Sequence, residues 1–191
     1  MDIDQKEYFY CELGETIQEW GRVELGVYQL YLVIMDGANQ HSVSVTFNHI
    51  QSFESKVKLI DSCLKLLLDT DSQEFKDWKK YRKEARDLND KRNIIVHGSV
   101  KFSSKEIFIG PSYFDSLALV KNKTTHKGPV ISGDYEPKLA KLEDIHKIYI
   151  SDLQKFKYKF QKFSDKLEDF RKRIAPLIKE AHKNARKKKG V

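Results

Sequence analysis

The chain has 191 residues, 33% of them charged and 40% hydrophobic, which suits one soluble helical domain that buries a proper core without disulfides. Its first residues, Met1 to Lys6, are polar and acidic, unlike a secretory signal, and no apolar run approaches the ~20 residues of a membrane span. The net charge of +7 is concentrated: residues 179–191 hold six Lys or Arg against one Glu, a net +5, so the rest of the chain carries only +2.

Leu13, Ile17, Trp20, Val23, Val27, Leu30 and Ile34 recur at steps of three and four and predict an amphipathic helix over residues 13–34. Residues 5–12 either continue it or form a separate turn broken at Gly14. Val43 to Thr46 form a short β-favouring connector. A second helix is expected from about Asn48 to Leu68, with the stripe Ile50, Phe53, Val57, Ile60, Leu64 and Leu67. Asp69 to Ser72 make a turn, and Asp71 with Glu74 matches a capping box that starts a third helix, about Ser72 to His97.

The third helix has the core stripe Phe75, Trp78, Ala85, Leu88 and Ile95. Arg92 falls on the same stripe, where a charge needs a partner or a groove. A polar line of Arg82, Arg86, Asn89, Asn93 and His97 runs beside it at helical spacing, either as a solvated face or as a nucleic-acid contact. After His97 the period changes. Val100 and Phe102 alternate with polar residues, residues 103–106 turn, and Ile107 and Ile109 alternate back, which predicts a β-hairpin. Leu117 to Val120 add a candidate third strand, and residues 121–137, rich in Lys, Gly and Pro, read as a loop. The final helix is expected to begin near Lys138, with the near-heptad stripe Leu153, Phe156, Phe160, Phe163, Leu167, Phe170, Ile174 and Leu177. That seam fits intrachain core or, in part, a second chain. Pro176 should kink or end the helix near Arg173 to Ala175. The basic residues 179–191, with Arg186, Lys187 and Lys188, read either as a solvated terminus or as an electrostatic arm for RNA.

The segment Arg92-Asn93-Ile94-Ile95-Val96-His97-Gly98 brings chemistry together. Arginine presents a fixed fork of donors that matches phosphate oxygens, and histidine serves as acid or base near neutral pH. Asn93 and His97, four apart, share a helix face, whereas Arg92 and His97 sit roughly 140° apart around an ideal helix. Those two converge only if the helix loosens at its end or a second copy supplies the partner group. Gly98 suits a helix end, and His97 in the last turn lies where the helix dipole favours imidazolium.

This Arg-Asn-x-x-x-His-Gly ending resembles the R-x4-H signature of HEPN domains (higher eukaryotes and prokaryotes nucleotide-binding). The resemblance covers most of the chain in helix order but only this heptapeptide in identity. It implies an all-α, antiparallel helical bundle over residues 1–178 with the hairpin and loop of 99–137 inserted after the third long helix, followed by the basic tail 179–191. It also implies a homodimer acting as a metal-independent endoribonuclease, leaving 2′,3′-cyclic phosphate and 5′-hydroxyl ends, in a setting such as a toxin or phage-defence effector. Arg92 and His97 then form the catalytic pair and Asn93 fills the polar position after the arginine. Trp20-x-x-x-Glu24 also looks like the first helix of HEPN-like proteins, with Glu24 a second-layer partner for Arg92 or His97, or else a surface glutamate. Asn89 and Arg86 are candidate supports, and Arg82 a candidate RNA contact. Some toxin members carry a tyrosine two residues after the histidine that a partner antitoxin modifies; Ser99 stands there in this chain, which argues against that switch. An antitoxin or regulatory partner of another kind is still compatible with the sequence.

No cofactor is expected: there is no phosphate-cradling glycine loop, zinc spacing or serine elbow. His41, His49, His126, His146 and His182 are scattered, and Cys11 and Cys63 read as buried, reduced thiols of a cytoplasmic protein. The alternative to a nuclease is a non-catalytic module of the same fold that binds a nucleotide or a partner.

Overall fold

The computed structural model describes residues 3–102, 106–110 and 147–188. Those residues form an all-α bundle with one small hairpin: α1 (Ile3–Ile34), α2 (Gln40–His49), α3 (Phe53–Leu67), α4 (Gln73–His97), β1 (Ser99–Phe102), β2 (Ile107–Gly110) and a last helix, α5 (Ile150–Lys188). The expected third strand at Leu117 to Val120 and the loop 121–137 lie outside the described residues.

α1 runs unbroken through Gly14, so residues 5–12 continue it. Its inward place next to Leu13 is taken by Thr16 rather than Ile17, which is 43% exposed. The Thr16 hydroxyl donates to Glu12 O at 2.7 Å and lies 3.3 Å from Leu153 O, so this buried polar group is satisfied on both α1 and α5.

The connector at Val43 to Thr46 is helical, as part of α2. Tertiary packing overrides its β-favouring composition: Val43 and Phe47 are buried, and the Phe47 ring stacks on Tyr31 at 5.0 Å. Asn39 caps α2 by accepting from Ser42 N. The second long helix therefore starts five residues later than Asn48, at Phe53, because Ser52 caps it by accepting from Ser55 N. At α4 the cap is Ser72, accepting from Phe75 N at 3.2 Å, in place of Asp71. The carboxylate that shapes the turn is that of Asp69, which takes the Asp71 N–H at 2.9 Å.

Directions follow from side-chain pairs. Gln154 reaches Tyr8, Lys157 reaches Glu12 and His182 reaches Ile34, so α1 and α5 lie parallel along their whole length. The expected antiparallel order holds for α4 against its neighbours: Arg82 pairs with Asp61 and Arg86 with Glu54 on α3, while Lys166 pairs with Glu84 and Arg173 with Asp77 between α5 and α4. Trp20, Phe53 and Phe160 meet at the centre of the main core.

A second, smaller core closes the end where α4 finishes. Phe9, Ile95, Ile107, Ile109, Ile148 and Leu153 are buried there, with Leu13 and Val100 packed against them. The hairpin pairs Ser99 with Gly110 and Phe102 with Ile107, and Ile148 bridges Ile109 in antiparallel fashion. Residues 147–149 are thus extended, and the last helix starts at Ile150 instead of continuing from near Lys138. Asp152 makes that start by accepting from Tyr149 N at 3.2 Å, the backward reach of a capping box.

α5 continues through Pro176 as far as Lys188, so most of the expected basic tail is helix. Its buried stripe is Leu153, Phe160, Phe163, Leu167, Phe170, Ile174 and Ile178; Leu177 is 42% exposed. Among the described residues no helix is long and apolar enough to cross a membrane. Cys11 is exposed, contrary to expectation, and Cys63 is half-buried. Burial pushes the Cys63 thiol up.

Candidate functional site at the end of α4

The second core places the last turns of α4. Ile95 is buried in it, which turns Asn93 and His97 to one side and Arg92 to another. The helix stays regular to its end: Gly98 N–H donates to Ile94 O at 3.0 Å. The loosening that would bring Arg92 and His97 of one chain together does not occur.

Gly98 itself is extended, at φ −75° and ψ 161°, so its glycine identity does not serve a left-handed cap. A Cβ there would overlap the Ile109 side chain and lie 2.6 Å from Ile94 O and 3.0 Å from Gly110 O. The glycine allows β2 to pass against the end of α4, and this fixes where His97 emerges from the bundle.

Arg92 is half-buried. Its Nη1 donates to Asn93 Oδ1 at 3.2 Å, while its buried Nε has no hydrogen-bond partner among the described residues. An orphaned donor on a charged group is costly unless a ligand or a partner meets it. Asn93 and Asn89 are half-buried, and His97 is exposed with no hydrogen bond to a described residue. Exposed Ile94 and Val96 flank these groups at 37% and 40%.

The other candidates lie elsewhere. Glu24 is half-buried on α1. It stands eleven residues past Leu13, about 16 Å of helix from the second core, and no bond joins it to Arg92 or His97. Arg82 donates to Asp61 Oδ2 at 2.6 Å, and Arg86 lies 3.6 Å from Glu54, so both turn toward acids on α3. Asp61 is 5% exposed and also takes the Trp78 Nε1–H at 3.1 Å and Lys65 at 2.8 Å. Burial raises its carboxyl, but Lys65, Arg82 and the Trp78 indole outweigh this and hold it below the usual carboxylate range. Arg186 and Lys187 are at the far end of α5, and the side chain of Lys188 is outside the described residues.

Two polar clusters gave no sequence signal. Lys157 joins Glu12 at 2.9 Å and Glu15 at 2.7 Å, and hydrogen bonds to both hold its ammonium well above the usual lysine range. Glu106 takes Lys147 and the Tyr149 hydroxyl, tying the hairpin to the start of α5. Both are pairings over more than forty positions, which spacing alone does not reveal. Among the described residues no group of three or more His, Cys, Asp or Glu is placed to hold a metal ion. Comparison with family models, with characterised proteins and with solved structures gives no match for this chain.

Proposed function

We propose that the chain is a HEPN-like, metal-independent endoribonuclease whose active site is completed by a second copy. The observation that carries this is the pairing of a half-buried Arg92, its Nε unmet among the described residues, with an exposed His97 five residues on, at the end of a helix that stays regular. Each chain thus offers a phosphate fork and a proton shuttle rooted about 140° apart around a regular helix, and a two-fold partner would supply the complement to each. Exposed Ile94 and Val96 beside them are apolar surface for that contact.

In this reading His97 takes the proton from a ribose 2′-hydroxyl as its oxygen attacks phosphorus. The bond from phosphorus to the 5′-oxygen breaks, and that oxygen leaves with a proton supplied by an imidazolium. Arg92 stabilises the charge on the phosphate oxygens, and Asn93 holds the guanidinium in place through Oδ1. The products are a 2′,3′-cyclic phosphate and a 5′-hydroxyl.

Cleavage of a mixed-sequence single-stranded RNA in EDTA tests it. Wild type is expected to cut with cyclic-phosphate ends, and His97→Ala to lose ~10²- to 10⁴-fold, the usual contribution of one acid–base group. Absence of cutting by wild type would sink the proposal. It would favour a binding module, a reading for which the Arg92–Asn93 bond within one chain already speaks.

A further inference from the structure

Beyond Ile178, α5 continues to Lys188 with no fully buried residue from Lys179 to Lys187, yet it does not leave the bundle. Two contacts hold it. His182 Nε2 lies 2.9 Å from Ile34 O, the last carbonyl of α1. The Arg186 guanidinium lies over Gly37, where a Cβ would come 2.6 Å from Nη2. Gly37 has φ +80°, a left-handed turn that suits glycine, and its missing side chain leaves room for that arginine. Lys179, Lys183 and Lys187 follow one another at four-residue steps on the same helix face, so their like charges repel. Together with Asp36, His182 and Arg186 they line a concave pocket of about 240 Å³. None of the four Lys and Arg groups makes an ion pair with a described residue.

The negative end of the α1 dipole attracts cations, but His182 already occupies the Ile34 carbonyl, and one cation would suffice there. Four converging cations fit a multiply charged anion. Asp36 repels phosphate oxygens and suits a hydroxyl donor. A cationic pocket with one carboxylate acceptor is matched by a ribose phosphate.

We infer that this pocket binds the sugar–phosphate backbone of an RNA strand, at the opposite end of the bundle from His97. The choice of an RNA strand rests on the ribonuclease reading, whereas the affinity for phosphate does not. From the level of Leu153, beside Ile95, to Lys183 is about 45 Å along α5. A strand stacked at about 3.4 Å per nucleotide spans that distance with about 13 nucleotides, and a fully extended one with about half as many. Short RNAs therefore occupy one site at a time, and the pocket favours long substrates.

The test is binding of end-labelled single-stranded RNA of about 20 nucleotides to full-length chains carrying His97→Ala, which keeps the strand intact, across a salt series. Lys179→Gln/Lys183→Gln/Lys187→Gln is expected to weaken binding by about tenfold or more and to lower the salt slope by about 2, for three lost single-strand phosphate contacts. The control Lys76→Gln/Lys80→Gln/Lys83→Gln removes the same charge from exposed lysines of α4 and is expected to bind as before. The Lys→Arg triple at the pocket positions should restore binding, which separates lost contacts from a misfolded helix. Equal weakening by both Gln triples, or by neither, would overturn the inference. So would DNA of the same sequence binding as tightly as RNA, or ATP displacing the strand at low concentration, which would make a free nucleotide the occupant. The two proposals fail separately: pocket-dependent binding without cleavage by wild type removes only the nuclease, and cleavage without pocket dependence removes only the pocket.

Discussion

At Gly98 the constraint is contact and not backbone conformation, since an extended φ of −75° is open to any residue. Gly98→Ala is therefore expected to destabilise by about 1–3 kcal/mol, as overpacking does, because Ile94 O and Gly110 O belong to the backbone and cannot move aside cheaply. Urea unfolding checks this. Asp61 is the other position where one side chain decides much. It accepts from Trp78 and pairs with Arg82 and Lys65 while almost fully buried. Asp61→Asn should cost about 1–3 kcal/mol at neutral pH, from a weakened acceptor and two cations left without their charge partner. The folded carboxyl lies below its unfolded value, so its stabilisation is complete above about pH 4 and is lost as pH falls through the folded value. The gap between wild type and Asp61→Asn, followed by denaturant melts, should accordingly close in acid.

Along single elements, periodicity read from sequence located the four long helices, but not α2, and their inner details less well. The α4 stripe of Phe75, Trp78, Ala85, Leu88 and Ile95 is the buried set of that helix, because over most of this highly charged segment the apolar residues fall on one face. On α5 a seven-residue repeat assigned the last place to Leu177, but a straight helix of 3.6 residues per turn drifts about 20° per heptad, and Ile178 is buried instead. Ile178→Ala should cost about 2–5 kcal/mol, while Leu177→Ala should stay within about 0.5 kcal/mol; thermal or urea unfolding of the two variants side by side decides it. The start of α4 was placed within one residue, but its cap was given to Asp71 where the neighbouring Ser72 makes it. The α4 motif was legible as chemistry, since Arg92 on an apolar stripe is anomalous in any fold. Its separation from Glu24, and the turning of Arg82 and Arg86 toward Asp61 and Glu54, were not legible, because they depend on how helices far apart in sequence are laid side by side.

For the molecule as a whole, the regular end of α4 makes a sharp prediction about assembly. Arg92→Ala and His97→Ala chains should each be inactive alone, yet a mixture allowed to exchange subunits should regain RNA cleavage, since a mixed dimer holds one intact arginine opposite one intact histidine. A site contained in one chain gives no recovery under any mixing. Light scattering of wild type at micromolar concentration should report a dimer mass alongside. The parallel pairing of α1 with α5 has a different kind of consequence. Lys157 meets Glu12 across 145 residues and His182 meets Ile34 across 148. At a synthesis rate of about 5–20 residues per second, the apolar face of α1 waits about 7–30 s for the helix that covers it. Through that interval the side of α1 that faces α5 stays uncovered, a client for any chaperone that recognises an apolar helix, and that face closes only once α5 has been made.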